Sequence, residues 1–314
     1  MKLGIDIMGG DYAPLVPLQG TIMALEHLPP DVKIVLYGKE EGINTFLKEN
    51  NIKDNRIEIV YTTETIEMHE SPAVAFNQKI DSSIYVGFKH LKEEYIQGFA
   101  SAGSTGAMMV GAMQVIKVIK GIIRPCITSI VPRLDGTNAI IADVGLNPDC
   151  KPEVLYQYAI IASKYAKFVL NIENPRVALL NIGSEPEKGN ILAKASYELM
   201  SQSKDFNFIG NVEGYDLFKN KADVIITDGF VGNIILKMAE GFYWLLKKRN
   251  LIDDYFAKFN FENYGGTPIL GINKTVIIGH GASTPKAIMN MILHTYKVIK
   301  SELIEKLKES FKNE

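Results

Sequence analysis

The sequence contains little that could hold a fold together covalently or around a metal. Its 314 residues include only two cysteines, Cys126 and Cys150, with no CxxC pair and no Cys/His cluster at zinc spacing. Two cysteines do not make a disulfide framework, which favours a reducing, cytoplasmic compartment. We therefore expect a cytoplasmic protein with no metal site.

Long hydrophobic runs and an excess of one charge are also missing. No charge-free apolar run approaches the roughly 20 residues that span a bilayer. Met1-Lys2 is followed by Leu3–Asp6 rather than by an apolar signal core. Lys and Arg number 34 against 36 Asp and Glu, a formal charge of −2. Nucleic-acid binders usually carry a strongly basic face, so nucleic acid is not an expected partner.

What the sequence does contain is an alternation of short Val/Ile/Leu runs with longer helical stretches. Such an alternation predicts βαβ units and a mostly parallel sheet covered on both faces, within one α/β domain over residues 1–314 or two closely joined lobes. The predicted strands are Lys2–Ile7, Lys33–Tyr37, Ile57–Tyr61, Ala139–Asp143, Arg176–Asn181, Phe206–Gly210, Val224–Thr227 and Thr275–Ile278. The predicted helices are Pro17–Glu26, Ser82–Glu94, Thr105–Ile116, Glu153–Lys167, Asn190–Gln202 and one long helix from Thr284-Pro285 toward Lys312, with a fraying Lys/Glu-rich end.

Open parallel sheets bind ligands at the carboxyl ends of their strands, so the loops there are candidate sites. Met8–Asp11 follows the first strand, and its glycines let the backbone turn sharply toward a ligand. The alternative is a plain tight turn capped by Asp11. Ser101–Ala107 precedes an apolar helix, where free amides favour an anion such as phosphate. The candidate binding residues of these two loops are Gly9, Gly10, Asp11, Ser101, Gly103, Ser104, Thr105 and Gly106.

Other strand-end loops carry polar groups as well. Lys188 lies in a Gly/Glu-rich loop and can meet a phosphate as a point charge, although a lone lysine is more often solvated. His280 sits between Gly279 and Gly281 at a strand end, which favours function over core packing. Further candidates are Asn147, Asp228, Gly232 and Asn233. No P-loop and no Gly-x-Ser-x-Gly elbow occurs.

Taken in order, these motifs resemble the PlsX family, the phosphate acyltransferases of bacterial phospholipid synthesis. The resemblance runs through Asp6–Asp11, Lys79–Ser83, Ser101–Gly103, Thr105–Ala107, Asn211–Gly214, Asp228–Asn233, Tyr264–Gly266 and Gly279–Gly281, and so covers nearly the whole chain. The sequence departs from the usual family pattern at Ser104, Leu146 and Ser184.

The resemblance implies a Rossmann-like three-layer α/β/α sandwich, similar to phosphate acetyltransferases and isocitrate-dehydrogenase-type folds. It implies a homodimer that transfers a fatty acyl group from an acyl-carrier-protein thioester to inorganic phosphate. The acyl phosphate would feed a membrane-bound glycerol-3-phosphate acyltransferase, and no cofactor is required. Within this reaction we expect phosphate at Ser101–Gly106 with Lys188, while Asn233 and His280 bind the oxyanion or His280 assists the leaving thiolate.

One apolar stretch, Ile234–Leu246, is a candidate wall for the acyl chain, and it is followed by Lys247-Lys248-Arg249. It is apolar on more than one face, so it should be buried, dimeric or lipid-facing. The basic end suits an acidic carrier protein or anionic lipid, and the alternative is a dimer-interface helix with a solvated end. Leu251–Phe261, with four aromatic residues (Tyr255, Phe256, Phe259 and Phe261), is a candidate membrane-touching segment.

Three other functions remain open from the sequence alone. A short-chain phosphate acyltransferase would use coenzyme A thioesters in place of the carrier protein. A nicotinamide-dependent dehydrogenase is disfavoured because Gly279-x-Gly281 lacks the third glycine of the dinucleotide fingerprint. A non-enzymatic scaffold for lipid synthesis would bind partners at the membrane without turnover.

Overall fold

The structure, a computed structural model, describes residues 1–312, and within them the chain forms eleven strands and ten α-helices. The strands are β1 (Lys2–Asp6), β2 (Lys33–Gly38), β3 (Ile57–Tyr61), β4 (Gly98–Ser101), β5 (Cys126–Pro132), β6 (Asn138–Ala142), β7 (Arg176–Leu180), β8 (Asn207–Val212), β9 (Val224–Ile226), β10 (Thr267–Leu270) and β11 (Thr275–Ile278).

The helices are α1 (Leu15–Leu25), α2 (Glu40–Glu49), α3 (Pro72–Gln78), α4 (Ser83–Lys92), α5 (Thr105–Gly111), α6 (Pro152–Phe168), α7 (Ile191–Ser201), α8 (Gly229–Lys248), α9 (Pro285–Lys300) and α10 (Leu303–Ser310). A π-helix, Ala112–Ile116, continues α5, and short 3₁₀ turns lie at Gly214–Phe218, Phe256–Phe259 and Phe261–Asn263.

The chain divides into two compact units, and each is built from separate stretches of sequence. Unit 1 comprises Met1–Lys117 and Phe261–Lys300. Unit 2 comprises Val118–Asn260 and the described residues from Ser301 onward. The prediction of one domain over residues 1–314 stays a prediction.

Unit 1 contains a sheet with the strand order β3-β2-β1-β4-β11-β10, in which only β10 is antiparallel to its neighbour. The chain moves from β1 outward to β2 and β3, then crosses back to β4 on the other side of β1. Because crossovers between parallel strands are right-handed, this reversal places the intervening helices on opposite faces of the sheet. The β1/β4 boundary is therefore the switch point of unit 1.

Unit 2 contains the order β5-β6-β9-β7-β8, with β5 antiparallel to β6 and the other pairs parallel. Its core includes Ile141, Ala178, Val212 and Ile225 from four of these strands. Ile235 and Leu236 of α8 pack against that core, so one face of this helix is anchored to the sheet.

The predicted α/β class with a mostly parallel sheet is confirmed, and all eight predicted strands are present within one or two residues. Three strands, β4, β5 and β10, were not predicted. Strand β4 has the sequence Gly-Phe-Ala-Ser, which contains few strand-forming residues. Strands β5 and β10 each contain a proline, which disfavours a strand prediction.

The prediction of one continuous C-terminal helix is wrong. Glu302 adopts a left-handed conformation with φ of 55°, which separates α9 from α10. Nor is the end splayed into solvent, because Leu303, Leu307 and Phe311 are buried. The Lys/Glu content of this segment predicted fraying, but the buried apolar side chains of α10 hold it against the protein.

Among residues 1–312, no helix has both the length and the apolar character needed to cross a bilayer.

Candidate active site

Three neighbouring strands of unit 1 deliver their following loops to one edge of the sheet. In the parallel pairing, Ile5 of β1 aligns with Ala100 of β4, and Ser101 of β4 aligns with Ile278 of β11. The loops after β1, β4 and β11 are three of those that the sequence marked as candidate sites. They meet at the switch point, where open α/β sheets bind ligands.

Backbone hydrogen bonds join these loops. The Asp11 amide donates to the Gly281 carbonyl at 2.8 Å, and the Gly279 amide donates to the Ser101 carbonyl at 2.8 Å. Gly10 has φ of +102° and lies so close that a Cβ there would be 3.1 Å from the Gly281 oxygen. The Met8–Asp11 turn therefore needs glycine both for its conformation and for its contact with the His280 loop.

Beneath the loops lies a buried carboxylate that the sequence analysis did not select. The Ser101 hydroxyl donates to Asp6 Oδ2 at 2.6 Å, and the Met8 amide donates to Asp6 Oδ1 at 2.9 Å. Burial raises the pKa of Asp6, while hydrogen bonds, led by that from Ser101, act to lower it. The available signal was a charged residue ending an apolar strand run.

The Ser101–Gly106 loop opens helix α5. Ser104 is the N-cap, and its hydroxyl accepts from the Ala107 amide at 3.3 Å. Thr105 and Gly106 occupy the first turn, where amides have no intrahelical partner. A Cβ at Gly106 would collide with the Pro72 ring at the start of α3, so the turn is held close against that helix.

His280 is exposed and is held in one orientation by two neighbours. Its ring stacks on Phe261 with a centroid separation of 4.7 Å and an interplanar angle of 30°. Its Nδ1 accepts from the Ala282 amide at 3.2 Å. In the neutral ring the proton is therefore on Nε2, which leaves an N–H donor for a ligand. Phe261 belongs to the candidate membrane-touching segment, which stays a prediction, and its ring also contributes to this site.

Unit 2 has its own polar centre where β6 ends. The buried carboxylate of Asp143 accepts from the Asn147 amide at 2.7 Å and from the Leu146 and Ile127 amides at 3.1 Å. Burial raises the pKa of Asp143. This carboxylate shapes the loop that contains the predicted residue Asn147.

The start of α8 packs onto this loop. The Gly229 amide donates to the Asn147 carbonyl at 2.8 Å. A Cβ at Gly232 would collide with the Asp143 carbonyl oxygen. The side chain of Asn233 is exposed, and its Oδ1 lies 3.2 Å from where a Gly145 Cβ would stand. Of these predicted residues, Asn233 presents its side chain most openly.

Two other predicted side chains of unit 2 already have backbone partners. Asp228 caps α8 by accepting from the Val231 amide at 2.9 Å, and Asn147 Nδ2 donates to the Pro125 carbonyl at 2.8 Å. Lys188 is exposed in the loop after β7, where Asn181 Nδ2 donates to the Lys188 carbonyl at 3.1 Å. Substrate contacts by these residues stay predictions.

Across residues 1–312, no group of three or more His, Cys, Asp or Glu side chains is arranged to hold a metal ion.

The fold and the loops define an α/β protein of the Rossmann-like class, with its polar loops at the carboxyl ends of parallel strands. A family model described as fatty acid synthesis protein matches residues 1–249, and this chain belongs to that family. The resemblance to the PlsX family that the motifs indicated is thereby confirmed.

Similar proteins of known name extend over nearly the full chain. The phosphate acyltransferase of Dictyoglomus turgidum is 42% identical, over 98% of this chain and 97% of its own length. That of Dictyoglomus thermophilum is 44% identical over the same shares. A phosphotransacetylase from Streptococcus pyogenes has a similar structure, with a TM-score of 0.66 at 17% identity over 95% of this chain and 94% of its own. The likeness to that structure shows the shared fold alone.

Proposed function

We propose that this protein is a phosphate acyltransferase that moves a long-chain fatty acyl group from acyl-acyl-carrier protein to inorganic phosphate. The product is an acyl phosphate for phospholipid synthesis. The observation that carries the proposal is the 42% identity, over 98% of the chain, to a protein named phosphate acyltransferase. The joined glycine loops of unit 1, with an exposed histidine among them, are suited to such chemistry.

The proposed step is an acyl transfer between sulfur and oxygen. A phosphate oxygen attacks the thioester carbonyl carbon, a C–O bond forms, and the C–S bond breaks as the carrier thiolate leaves and takes up a proton. Phosphate near neutral pH is partly dianionic, so it needs little help from a general base. The protein's task is then to orient phosphate and to stabilise charge on the carbonyl oxygen.

In unit 1 we assign phosphate to the first-turn amides of α5 and to the Met8–Asp11 turn. We assign His280 Nε2–H to the carbonyl oxygen as negative charge develops there. Its neutral tautomer supports this role, because Nδ1 already accepts from the Ala282 amide. For unit 2 we assign Lys188 as a cation for a phosphate group and Asn233 as a hydrogen-bond donor to substrate.

We also propose that α8 forms the interface of a homodimer. Its outer face carries an apolar stripe at i, i+4 spacing that no other described residue covers: Phe230, Ile234, Met238 and Phe242, exposed by 50–61%. A stripe of this length is typical of a helix that packs on a partner. We expect Met238→Asp to convert the dimer to a monomer in light scattering, and a wild-type monomer would contradict the assignment.

For its other partners we propose an acidic carrier protein and an anionic membrane surface, where a glycerol-3-phosphate acyltransferase takes the product. The exposed basic end of α8, Lys247-Lys248-Arg249, supports such contacts. The aromatic segment after α8 contributes less: Tyr255 donates to the Pro132 carbonyl at 3.1 Å, and Phe259 packs on Phe218. A cytoplasmic protein working at the membrane is the proposed setting.

Hydroxylamine trapping of acyl phosphate tests the proposed activity. The purified protein is mixed with long-chain acyl-carrier protein, with and without phosphate, and we expect product only when phosphate is present. Product from short-chain coenzyme A thioesters alone would replace the proposed donor. Absence of product from either donor, with the protein folded, would favour a scaffold.

A further inference from the structure

We propose that Asp6 is a positioning residue that holds two loops of unit 1 in the geometry that binds phosphate. Asp6 was not among the residues selected from the sequence. The inference rests on the proposed function, because the phosphate that the loops would bind is the acyl acceptor in that reaction.

Asp6 acts from below the surface. It is 2% exposed and Ser101 is fully buried, so substrate reaches neither side chain in this conformation. The Ser101 hydroxyl donates to Asp6 Oδ2 at 2.6 Å and accepts from the Gly103 amide at 2.9 Å. The hydroxyl hydrogen is thus committed to Asp6, and the loop after β4 is tied to this carboxylate.

The same carboxylate also holds the loop after β1. The Met8 amide donates to Oδ1 at 2.9 Å, and the Gly9 amide helps to lower the pKa of Asp6. The Ser83 hydroxyl, at the start of α4, helps to lower the pKa of Asp6. One side chain therefore fixes the backbone on both sides of the β1/β4 switch point.

The two loops touch directly above Asp6. A Cβ at Gly9 would lie 2.6 Å from the Gly103 nitrogen and 2.8 Å from Ser101 Oγ. A Cβ at Gly103 would lie 3.1 Å from Gly9 Cα. With so little space, any shift of one loop moves the other, and the amides that would bind phosphate move with them. Binding geometry of this kind must be held to within about 0.5 Å.

The chemistry of the position requires a carboxylate rather than an isosteric amide. The Met8 amide and the Ser101 hydroxyl donate to different oxygens of Asp6, and a carboxylate is an acceptor on both. Asparagine has the same shape but would point an N–H₂ group at one of these donors. Asp6→Asn should therefore displace a loop without emptying the space beneath it.

The test compares Asp6→Asn and Ser101→Ala with Asp223→Asn in the full-length protein. Asp223 is a buried carboxylate of unit 2 that pairs with Arg133 and Arg176, so its variant reports destabilisation alone. Acyl phosphate formation is measured while phosphate and acyl donor are varied in turn. The rise in Tm caused by inorganic phosphate is measured as well, since it requires no turnover.

We expect Asp6→Asn to raise KM for phosphate about tenfold or more, with KM for the acyl donor within about twofold of wild type. It should also abolish the phosphate-induced rise in Tm. Ser101→Ala should raise KM for phosphate as well, but by a smaller factor. The double variant should be no worse than Asp6→Asn, because each change removes the same hydrogen bond, the one between Ser101 and Asp6.

A wild-type KM for phosphate in both variants, with a Tm loss like that of Asp223→Asn, would show that Asp6 only stabilises the fold. If Asp6→Asn does not fold, Ser101→Ala decides the question. If the wild type forms no acyl phosphate, the proposed function fails. The phosphate-induced rise in Tm would still test the role of Asp6: a rise in the wild type that is lost in Asp6→Asn supports it, and an equal rise in both proteins overturns it.

Discussion

Units 1 and 2 both place a buried aspartate where a central strand ends, but they use it differently. Asp6 accepts from a serine hydroxyl of the loop after β4 and from a backbone amide of the loop after β1. Asp143 accepts mainly from backbone amides, two of which belong to its own loop. A hydrogen bond from a side chain can be removed by a single substitution, whereas hydrogen bonds from backbone amides cannot. Unit 1 is therefore the better place to alter binding without unfolding the chain.

Two loop glycines, Gly232 of unit 2 and Gly281 of unit 1, also differ in how much space surrounds them. Gly232 at the start of α8 faces the Asp143 carbonyl with no room for a Cβ. Gly281 in the His280 loop has more space, since a Cβ there would lie 3.2 Å from Asp11 Oδ1 and 3.4 Å from Met68 Cε. The two nearest neighbours of Gly232 are backbone atoms of Asp143, and the neighbours of Gly281 are side-chain ends that can move.

The largest expected effect comes from exchanging these glycines for alanine. Gly232→Ala should cost about 3 kcal/mol of stability or prevent folding, because the new methyl group overlaps backbone. Gly281→Ala should cost less than about 1 kcal/mol. Thermal and urea denaturation of the pair measures the difference. Equal losses would remove the distinction between the two units.

Acid should affect unit 1 before unit 2. Burial lowers the pKa of His294 in α9 to about 4 from 6.5, so the unfolded chain binds more protons between these values and stability falls as pH drops through them. The loss approaches about 3 kcal/mol at pH 4. His294→Asn should flatten this part of the stability curve, and an unchanged slope would contradict the assignment.

In unit 2 the group compared with His294 is the buried carboxylate of Asp223, which gains its proton only at lower pH. Burial acts to raise the pKa of Asp223, but hydrogen bonds from Arg176 and Arg133 outweigh it. The net result is a pKa lowered to about 2. Its contribution is present above its ordinary pKa of 3.8 and is lost as pH falls toward 2. Asp223→Asn should therefore leave the slope between pH 6.5 and 4 as it is in wild type.

The third prediction concerns the exposed donor of unit 1. His280→Ala should lower kcat about 100-fold, the usual effect of losing one oxyanion donor. Tm should hardly change, because the ring is exposed. Asn233→Ala is the matched variant in unit 2. If Asn233→Ala abolished turnover and His280→Ala did not, the donor role assigned to unit 1 would be wrong.

The smallest expected effect belongs to the ring that orients His280. Phe261→Ala removes the stacked partner and should lower kcat about fivefold, since such a pair is worth roughly 1 kcal/mol. Phe261→Tyr keeps the ring and should restore the wild-type rate. Steady-state kinetics of both variants are the measurement. Equal rates in the alanine and tyrosine variants would mean that the stack does not position His280.

The sequence predicted the loops better than it predicted what holds them. Gly9, Gly10 and His280 carry local signals, namely glycine pairs and a polar residue at strand ends, and these are readable without a fold. Asp6 also ends an apolar run, but its importance depends on Ser101, which lies 95 residues away in sequence. Non-local hydrogen bonds of this kind follow from strand order, which the alternation of helices and strands does not specify.

Aromatic residues show the same limit. Phe261 and Phe259 lie two residues apart and looked alike as candidates for a membrane surface. Phe261 stacks on His280 in unit 1, while Phe259 packs on Phe218 in unit 2. Composition identifies an apolar segment, but it cannot show that the chain passes from one unit to the other between those two residues.

The passage of the chain between units has a consequence for its synthesis. Strand β4 leaves the ribosome early, yet its neighbour β11 belongs to the stretch Phe261–Lys300 and follows most of unit 2. At roughly 5–20 residues per second, one edge of β4 lacks its neighbour for on the order of ten seconds. Unpaired strand edges promote aggregation. The nascent chain should therefore need a chaperone most during that interval, after unit 2 has begun to fold and before β11 emerges.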